Sequence, residues 1–247
     1  MDPNGERPDQ VWMLERLLSE RWTCRQFRPD PVPRQTIEQL LGLAQRTPSW
    51  CNTQPWQVVV TEGRGTDLFR RALLHEARTA PVVPDFTYPT GYTDERRLRR
   101  RECGAQLYES VGIAADDRAA TTRQALRNLE LFDAPHVAVL STPAELGTYG
   151  AVDCGLYVAT FLLAAQALGL GAAPQAALAA YAPFLHSYFG LPDDRRVVVG
   201  ISFGHAEESH PVNGFRTSRA RLDDVVTWRT DGAERDDGQS GPVEWHG

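Results

Sequence analysis

Arg21-Trp22-Thr23-Cys24-Arg25-Gln26-Phe27 and, further along, Pro48-Ser49-Trp50-Cys51-Asn52-Thr53-Gln54-Pro55-Trp56 decide how this chain is read. The first stretch supplies guanidinium groups and a hydroxyl; the second supplies carboxamides. Guanidinium groups hold phosphate oxygens in paired hydrogen bonds, and a carboxamide presents a donor beside an acceptor. A phosphorylated ligand whose planar ring has a polar edge needs both. Flavin mononucleotide (FMN) is such a ligand.

The surrounding pattern places these stretches. Apolar residues at helical spacing run from Val11 to Ser19 and end just before the arginines. Pro33 suits a first helical turn, and Ile37, Leu40, Leu41 and Ala44 mark a buried stripe that stops before Pro48. Gln57-Val58-Val59-Val60-Thr61, closed by Glu62-Gly63, reads as a buried strand, so the amide stretch lies between helix and strand. Helical patterns follow at Asp67 to Ala77, Glu95 to Val111 and Arg118 to Phe132; the loop Pro81 to Tyr92, rich in Pro and Tyr, separates the first two and is of a kind that lines pockets. Pro135 to Leu140 predicts a strand, Val152 to Leu168 a buried helix stopped by Gly169-Leu170-Gly171, and Val197 to Ser202 a third strand. No repeat or linker divides the chain. The expectation is one α+β domain over residues 10–228, with an N-terminal tail at 1–9 and a disordered acidic tail at 229–247.

Composition narrows the function. The 247 residues are 42% hydrophobic and 23% charged, as in ordinary globular proteins, and a formal net charge of -6 argues against a nucleic-acid partner. Lysine is absent, which excludes a Schiff-base lysine and the lysine of a phosphate-binding Walker loop. Cys24, Cys51, Cys103 and Cys154 form no CxxC pair and read as reduced thiols of a cytoplasmic protein, Cys51 as a small packing residue. The N-terminus is polar and acidic, unlike a signal peptide. The most apolar run, Cys154 to Ala165, is too short to span a bilayer, so no membrane partner is expected.

Several motifs compete. Gly200-Ile201-Ser202-Phe203-Gly204 matches a serine hydrolase's nucleophile elbow and follows a strand, but the residues after it do not continue as an apolar-periodic helix. Gly63-Arg64-Gly65 opens like a dinucleotide fingerprint and lacks its third glycine. Arg96-Arg97-Leu98-Arg99-Arg100-Arg101, flanked by Asp94, Glu95 and Glu102, reads as a solvated or subunit-bridging helix face. The six histidines lack metal-ligand spacing, and no metal site is expected.

Four blocks together resemble the FMN-dependent nitroreductase family: Arg21 to Phe27, Pro48 to Trp56, Gly171-Ala172-Ala173-Pro174-Gln175-Ala176-Ala177, and Val212-Asn213-Gly214-Phe215-Arg216-Thr217-Ser218-Arg219 onward to Asp223. The middle of the chain, including Tyr88-Pro89 and Arg99 to Gly104, is similar to its nitrobenzoate-reductase-like branch. The resemblance implies a central, mostly antiparallel sheet flanked by helices and a homodimer with shared flavin sites and an exchanged C-terminal arm. It gives Arg21, Trp22, Thr23 and Arg25, joined by Arg216 and Arg219, to the FMN phosphate and ribityl chain. Pro48, Ser49 and Trp50 would pass the flavin, while Asn52 and Gln54 would bond its ribityl and pyrimidine edge; that these two amides only cap their loop stays open. Pro174, Gln175, Ala176 and Ala177 would run over the ring, with the backbone N–H of Ala176 near the reactive N5.

The implied chemistry is ping-pong: NAD(P)H reduces the flavin and leaves, and a nitroaromatic, quinone or enone acceptor takes its place. No protein acid is required. Relatives often have a small residue where this chain has Trp50. Trp50, Tyr88, Tyr92 and Phe132 are the candidates for the wall of the substrate pocket, since aromatic faces suit planar acceptors. The alternatives are a flavoprotein with non-reductase chemistry, such as a deiodinase or a flavin-fragmenting enzyme, and a hydrolase using Ser202.

Overall fold

The alternation of Val137, Ala138, Val139 and Leu140 sends side chains to opposite faces of a strand, and both faces are buried. In a computed structural model, which describes residues 8–229, that strand is at the centre. Residues 1–7 and 230–247, most of the two expected tails, lie outside the described residues. The chain divides after Arg216 into a main body and a short C-terminal segment.

The sheet has four strands, β1 (Gln57–Thr61), β2 (His136–Pro143), β3 (Gly171–Gln175) and β4 (Arg195–Gly204), in the order β1-β2-β4-β3. Every neighbouring pair is antiparallel, with Val59 opposite Val139, Val139 opposite Gly200, and Gly200 opposite Gln175. On one face Ala138, Leu140, Ile201 and Phe203 pack with α2 (Arg34–Ala44) and α6 (Gly147–Ala167) through Ile37, Leu40, Tyr157 and Phe161. On the other, Val137, Val139 and Val197 meet α3 (Arg64–Thr79), α7 (Ala176–Ala179) and α8 (Ala182–Phe189) through Phe69, Leu73, Leu178 and Leu185. Truncating a fully buried ring such as Phe161 to alanine is expected to cost about 3–5 kcal/mol.

The remaining helices are α1 (Pro8–Glu20), α4 (Asp94–Ser110) and α5 (Arg118–Leu126). The apolar residues Val11, Trp12, Met13, Leu14 and Leu18 of α1 are exposed, as are Tyr149, Val152 and Leu156 of α6.

Three expectations change. The helix expected over Arg118 to Phe132 ends at Leu126, because the chain then turns through Leu131, Phe132 and Asp133 with φ of 59°, 53° and 63°. The strand expected at Gln57 to Thr61 is an edge strand and only half-buried. Helix α6 begins at Gly147, five residues ahead of the expected start, and is long and apolar enough to cross a membrane by length and composition. Packing, and not length, makes it a core helix: Cys154, Tyr157, Phe161 and Ala165 are buried against the sheet and α2.

Candidate functional site

Three of the four blocks meet along the β3 edge of the sheet: the arginine stretch, β3 itself and the start of the block that opens at Val212. Thr23 forms a parallel bridge with Ala172, and the Cys24 N–H donates to the Ala172 carbonyl at 3.1 Å. The arginine stretch therefore runs beside β3 as a short extra strand. Burial pushes the Cys24 thiol up to about 12, so it stays protonated and donates to the Gln26 carbonyl.

Asn213, 3% exposed, holds this stretch in place. Its Oδ1 accepts the Arg25 N–H at 2.8 Å, and its Nδ2 donates to the carbonyls of Gln26 and Glu207, each at 2.8 Å. Arg25 lies over the Phe215 ring at 5.1 Å and donates to the Thr23 carbonyl; Arg216 lies over the Trp22 ring at 4.6 Å and donates to the Asn213 and Phe215 carbonyls. Burial lowers the pKa of Arg25 from the usual arginine value. Among the described residues neither Arg25 nor Arg216 is paired with a carboxylate; both guanidinium groups bond only carbonyls and lie on rings. A half-buried cation, Arg25, beside the exposed Arg216, neither with a counter-charge, makes a site for an anion. Arg219 lies in the C-terminal segment and donates to Thr217 and Ser218 there.

The end of β3 is held from beneath. Gln175, 3% exposed, donates to the Asn128 carbonyl at 2.7 Å and accepts from the Ser202 hydroxyl at 2.5 Å. With that side chain turned into the sheet, Pro174 stays half-buried, Ala176 is exposed and Ala177 is half-buried, and the backbone passes outward under small side chains only. This accounts for the Gly200 to Gly204 motif. Ser202 is fully buried within β4; a Cβ on Gly200 would come 2.5 Å from Leu178 Cδ2, and one on Gly204 would come 2.7 Å from Pro135 Cδ. The glycines allow close packing and the serine orients Gln175, which removes the basis for a nucleophile elbow.

The amide block is elsewhere. Pro48 to Trp56 leads into β1, the opposite edge of the sheet. Cys51, Asn52 and Gln54 take φ of 49°, 55° and 47°, a left-handed backbone that costs non-glycine residues of order 1 kcal/mol each. What fixes the loop is local: the Trp50 N–H donates to Asp153 Oδ1 at 3.2 Å, the Gln54 N–H to Ser49 Oγ at 2.8 Å, and Gln54 bonds the Asn52 and Gln45 side chains. Trp50, 56% exposed, meets Tyr149 edge to face at 4.5 Å. Cys51 is exposed, not the packing residue expected of it.

Two rulers separate the blocks. From β1 across β2 and β4 to β3 and the bridged Thr23 there are four strand spacings, about 19 Å. Trp50 is bonded to Asp153 near the start of α6, whereas Trp22 shares a small cleft with Gln166 near its end, about 20 Å along the helix axis. A ring lying over Pro174 to Ala177 cannot also reach Asn52 or Gln54 of the same chain.

The candidate wall residues divide in the same way. The Tyr88 hydroxyl donates to the Ala176 carbonyl at 2.5 Å, beside the expected ring position, and burial, then the nearby Tyr181, raises its pKa. Tyr88 sits on a loop tied down by the Val83 N–H to the Ala180 carbonyl and by Asp85, which accepts from the Val197 N–H and from His186. Tyr92 is exposed under Arg100. Phe132 is 3% exposed and packs with Cys24, Phe27 and Ala173, so its face is used within the core and not offered to a ligand.

Sequence reasoning missed Asn213, Ser202, Asn128 and Asp153 as positioning residues. Asn213 was quoted within a block, but nothing in its neighbours marks it as buried.

Comparison with known proteins identifies the sequence family and the fold. The sequence model of the Nitroreductase family matches residues 18–205. Nitroreductase NfnB of Mycolicibacterium smegmatis is 37% identical over 225 residues, 91% of this chain and 96% of that protein; a 4-nitrobenzoate reductase of a Nocardioides species is 30% identical, covering 88% and 90%. The crystal structure of the FMN-dependent nitroreductase NfnB from Mycobacterium smegmatis in complex with NADPH superposes with a TM-score of 0.85 at 36% identity, over 90% of this chain and all of that one. The FMN- and NADPH-dependent NfnB of a Sphingopyxis strain gives 0.83 at 32% identity, over 87% and 98%.

Proposed function

The chain belongs to the nitroreductase family, and on that premise we propose that it is an FMN-dependent NAD(P)H oxidoreductase that reduces nitroaromatic compounds or, within the same class, quinones and enones, as a cytoplasmic homodimer. The single observation that carries this reading is the β3 edge, where guanidinium groups without a carboxylate partner stand next to an outward-facing backbone with small side chains. Arg25 and Arg216 fit the cofactor's phosphate, with Arg21 at the start of the same stretch as a further cation, Thr23 fits the ribityl chain, and the N–H groups of Ala176 and Ala177 fit the ring edge at N5.

FMN, when bound there, supplies the hydride chemistry between nicotinamide and acceptor. The protein's part is to place and to polarise. Gln175, held by Ser202 and Asn128, fixes the end of β3 at the point where α7 begins, and the N–H groups of its first residues, Ala176 and Ala177, would favour negative charge on the ring edge. Tyr88, bonded to the Ala176 carbonyl, forms a wall against which a planar acceptor can stack.

Pro48, Ser49, Trp50, Asn52 and Gln54 serve the flavin of the partner subunit. The separation of about 19–20 Å within one chain supports this, as do the exposed apolar faces of α1 and α6, which a second copy would cover. Each of the two sites then joins the clamp of one chain to the amide loop of the other.

The test is anaerobic titration of the purified protein. It is expected to be yellow, to be bleached by NADPH or NADH, and to recover its colour with a nitroaromatic acceptor. Bound flavin that neither nicotinamide reduces would favour a flavoprotein with other chemistry, and a protein that binds no flavin would overturn the reading.

A further inference from the structure

We infer that the arginine-rich start of α4 is the recognition site for the 2'-phosphate of NADPH, formed by Arg100 and Arg101 over a cavity beside the clamp; this rests on the reading above. Helix α4 buries none of its residues, so five arginines within its first two turns are not there for packing. Two of them are accounted for locally: Arg99 pairs with Glu95 at 2.9 Å and Arg96 with Asp94 at 3.9 Å. Arg97, Arg100 and Arg101 have no carboxylate partner among the described residues, and Arg100 lies over the Tyr92 ring at 5.5 Å.

A cavity of about 900 Å³ runs from Arg100 and Arg101 along the second half of the helix and the loop after it, lined also by Tyr108, Glu109 and the apolar Leu107 and Ile113. That size is within the range of small-ligand sites. Its lining joins two guanidinium groups, which outweigh the one carboxylate of Glu109, to aromatic and aliphatic surface, which suits a phosphate attached to a planar base.

The cavity adjoins the cofactor clamp. Cys103, one turn beyond Arg99, also lines the cavity. Helix α4 itself packs on the Pro211–Asn213 turn that carries Asn213, the residue bonded to Arg25.

Among the ligands of the proposed reaction, only the hydride donor has phosphates left for these groups: a pyrophosphate that NADH and NADPH share, with one charge on each phosphorus, and the 2'-phosphate monoester that NADPH alone carries, whose double charge matches two guanidinium groups. The flavin's phosphate is taken by the clamp, and a nitroaromatic, quinone or enone acceptor has none. The hydride donor remains. NADPH differs from NADH only by a phosphate on the adenosine ribose, the group that arginine forks bind in pairs. Arg100 and Arg101 would therefore set the choice between the two donors.

The experiment uses the FMN-loaded dimer and compares kcat/KM for NADPH with kcat/KM for NADH. Losing a charge-assisted hydrogen bond to the phosphate is expected to lower the NADPH-to-NADH ratio about tenfold in Arg100→Ala or Arg101→Ala, and further in the double variant. Arg97→Ala removes the same charge from the same helix outside the cavity lining and should leave the ratio within twofold. In the parent protein 2',5'-ADP should compete with NADPH, and 5'-AMP, without the second phosphate, should compete far more weakly. An unchanged ratio in a double variant that keeps its flavin would overturn the assignment, and so would an equal fall in Arg97→Ala. A protein whose flavin neither nicotinamide reduces would overturn the reductase reading itself.

Discussion

The two edges of the sheet carry matching halves of one binding chemistry and are built in opposite ways. At the β3 edge the arginine stretch is bridged to Ala172, tied through Asn213, and supported by the buried Ser202–Gln175–Asn128 contacts. At the β1 edge the amide loop is exposed, runs through left-handed residues and satisfies its carboxamides mainly within itself. One half is a rigid seat completed within its own chain. The other is a strained, solvent-facing loop whose bonds to Asp153 and Gln45 set its shape and leave its outer face open, which is how a segment made for a partner subunit should look.

The comparison breaks most easily at the clamp. Arg21→Ala combined with Arg25→Ala removes the charge-assisted bonds to the cofactor phosphate and should weaken FMN on the order of 100-fold or more, so that the protein purifies colourless. An intact flavin spectrum in that variant would remove the β3 edge from the site.

Asn213→Ala leaves the Arg25 N–H without its partner and removes one of the donors to each of the Gln26 and Glu207 carbonyls, and should cost about 3 kcal/mol of stability by urea unfolding, with loss of flavin. Substitution of Asn52, which bonds only its own loop, should leave the unfolding midpoint unchanged. Equal destabilisation at the two edges would refute the contrast. Ser202→Ala strands the Gln175 Oε1 and should cost about 1–2 kcal/mol, with flavin still bound but held less firmly. A hydrolase using Ser202 would instead lose an esterase activity that this protein is not expected to have.

The smallest effect lies between the edges, at His136 of β2. Its Nε2 accepts the Val32 N–H at 2.9 Å, so the ring is neutral, and burial lowers its pKa below the ordinary 6.5. Because the folded value is the lower one, the unfolded chain takes up the proton first. The contribution to stability is complete above about pH 6.5 and declines as pH falls through the window beneath it. Urea melts from about pH 7 to about pH 5 should show this slope, and His136→Gln should flatten it. A slope that survives the substitution would assign the effect to another group.

Much of this was legible in the sequence because it depends on local chemistry. The β-branched runs of β1, β2 and β4 predict strands wherever they are placed, and Arg21 and Arg25 declare a phosphate site by type and spacing. Strand β3 could not be read that way. Gly171-Ala172-Ala173-Pro174-Gln175 has almost no intrinsic strand preference and is a strand because β4 offers its edge. The turn at Leu131 to Asp133 likewise imposes a left-handed backbone on residues that do not favour it, so α5 was read too long and Phe132 as surface. Which chain supplies which half of a shared site is a matter of distance, and the sequence holds no ruler for it. Nothing in two adjacent sequence blocks says that four strand spacings separate them, and a ligand that needs both invites the assumption that one chain brings them together.

A mixed dimer tests that point most directly. One chain carries Arg21→Ala and Arg25→Ala, the other Asn52→Ala and Gln54→Ala, and differently tagged copies are co-expressed and purified through both tags. If each site joins the clamp of one chain to the loop of its partner, one site in the mixed dimer has both halves intact and the other has neither. The account predicts one bound flavin per dimer and about half the parent activity, with both homodimeric variants depleted of flavin. A mixed dimer as colourless as its two parents would mean that each chain builds its site alone, and would contradict it.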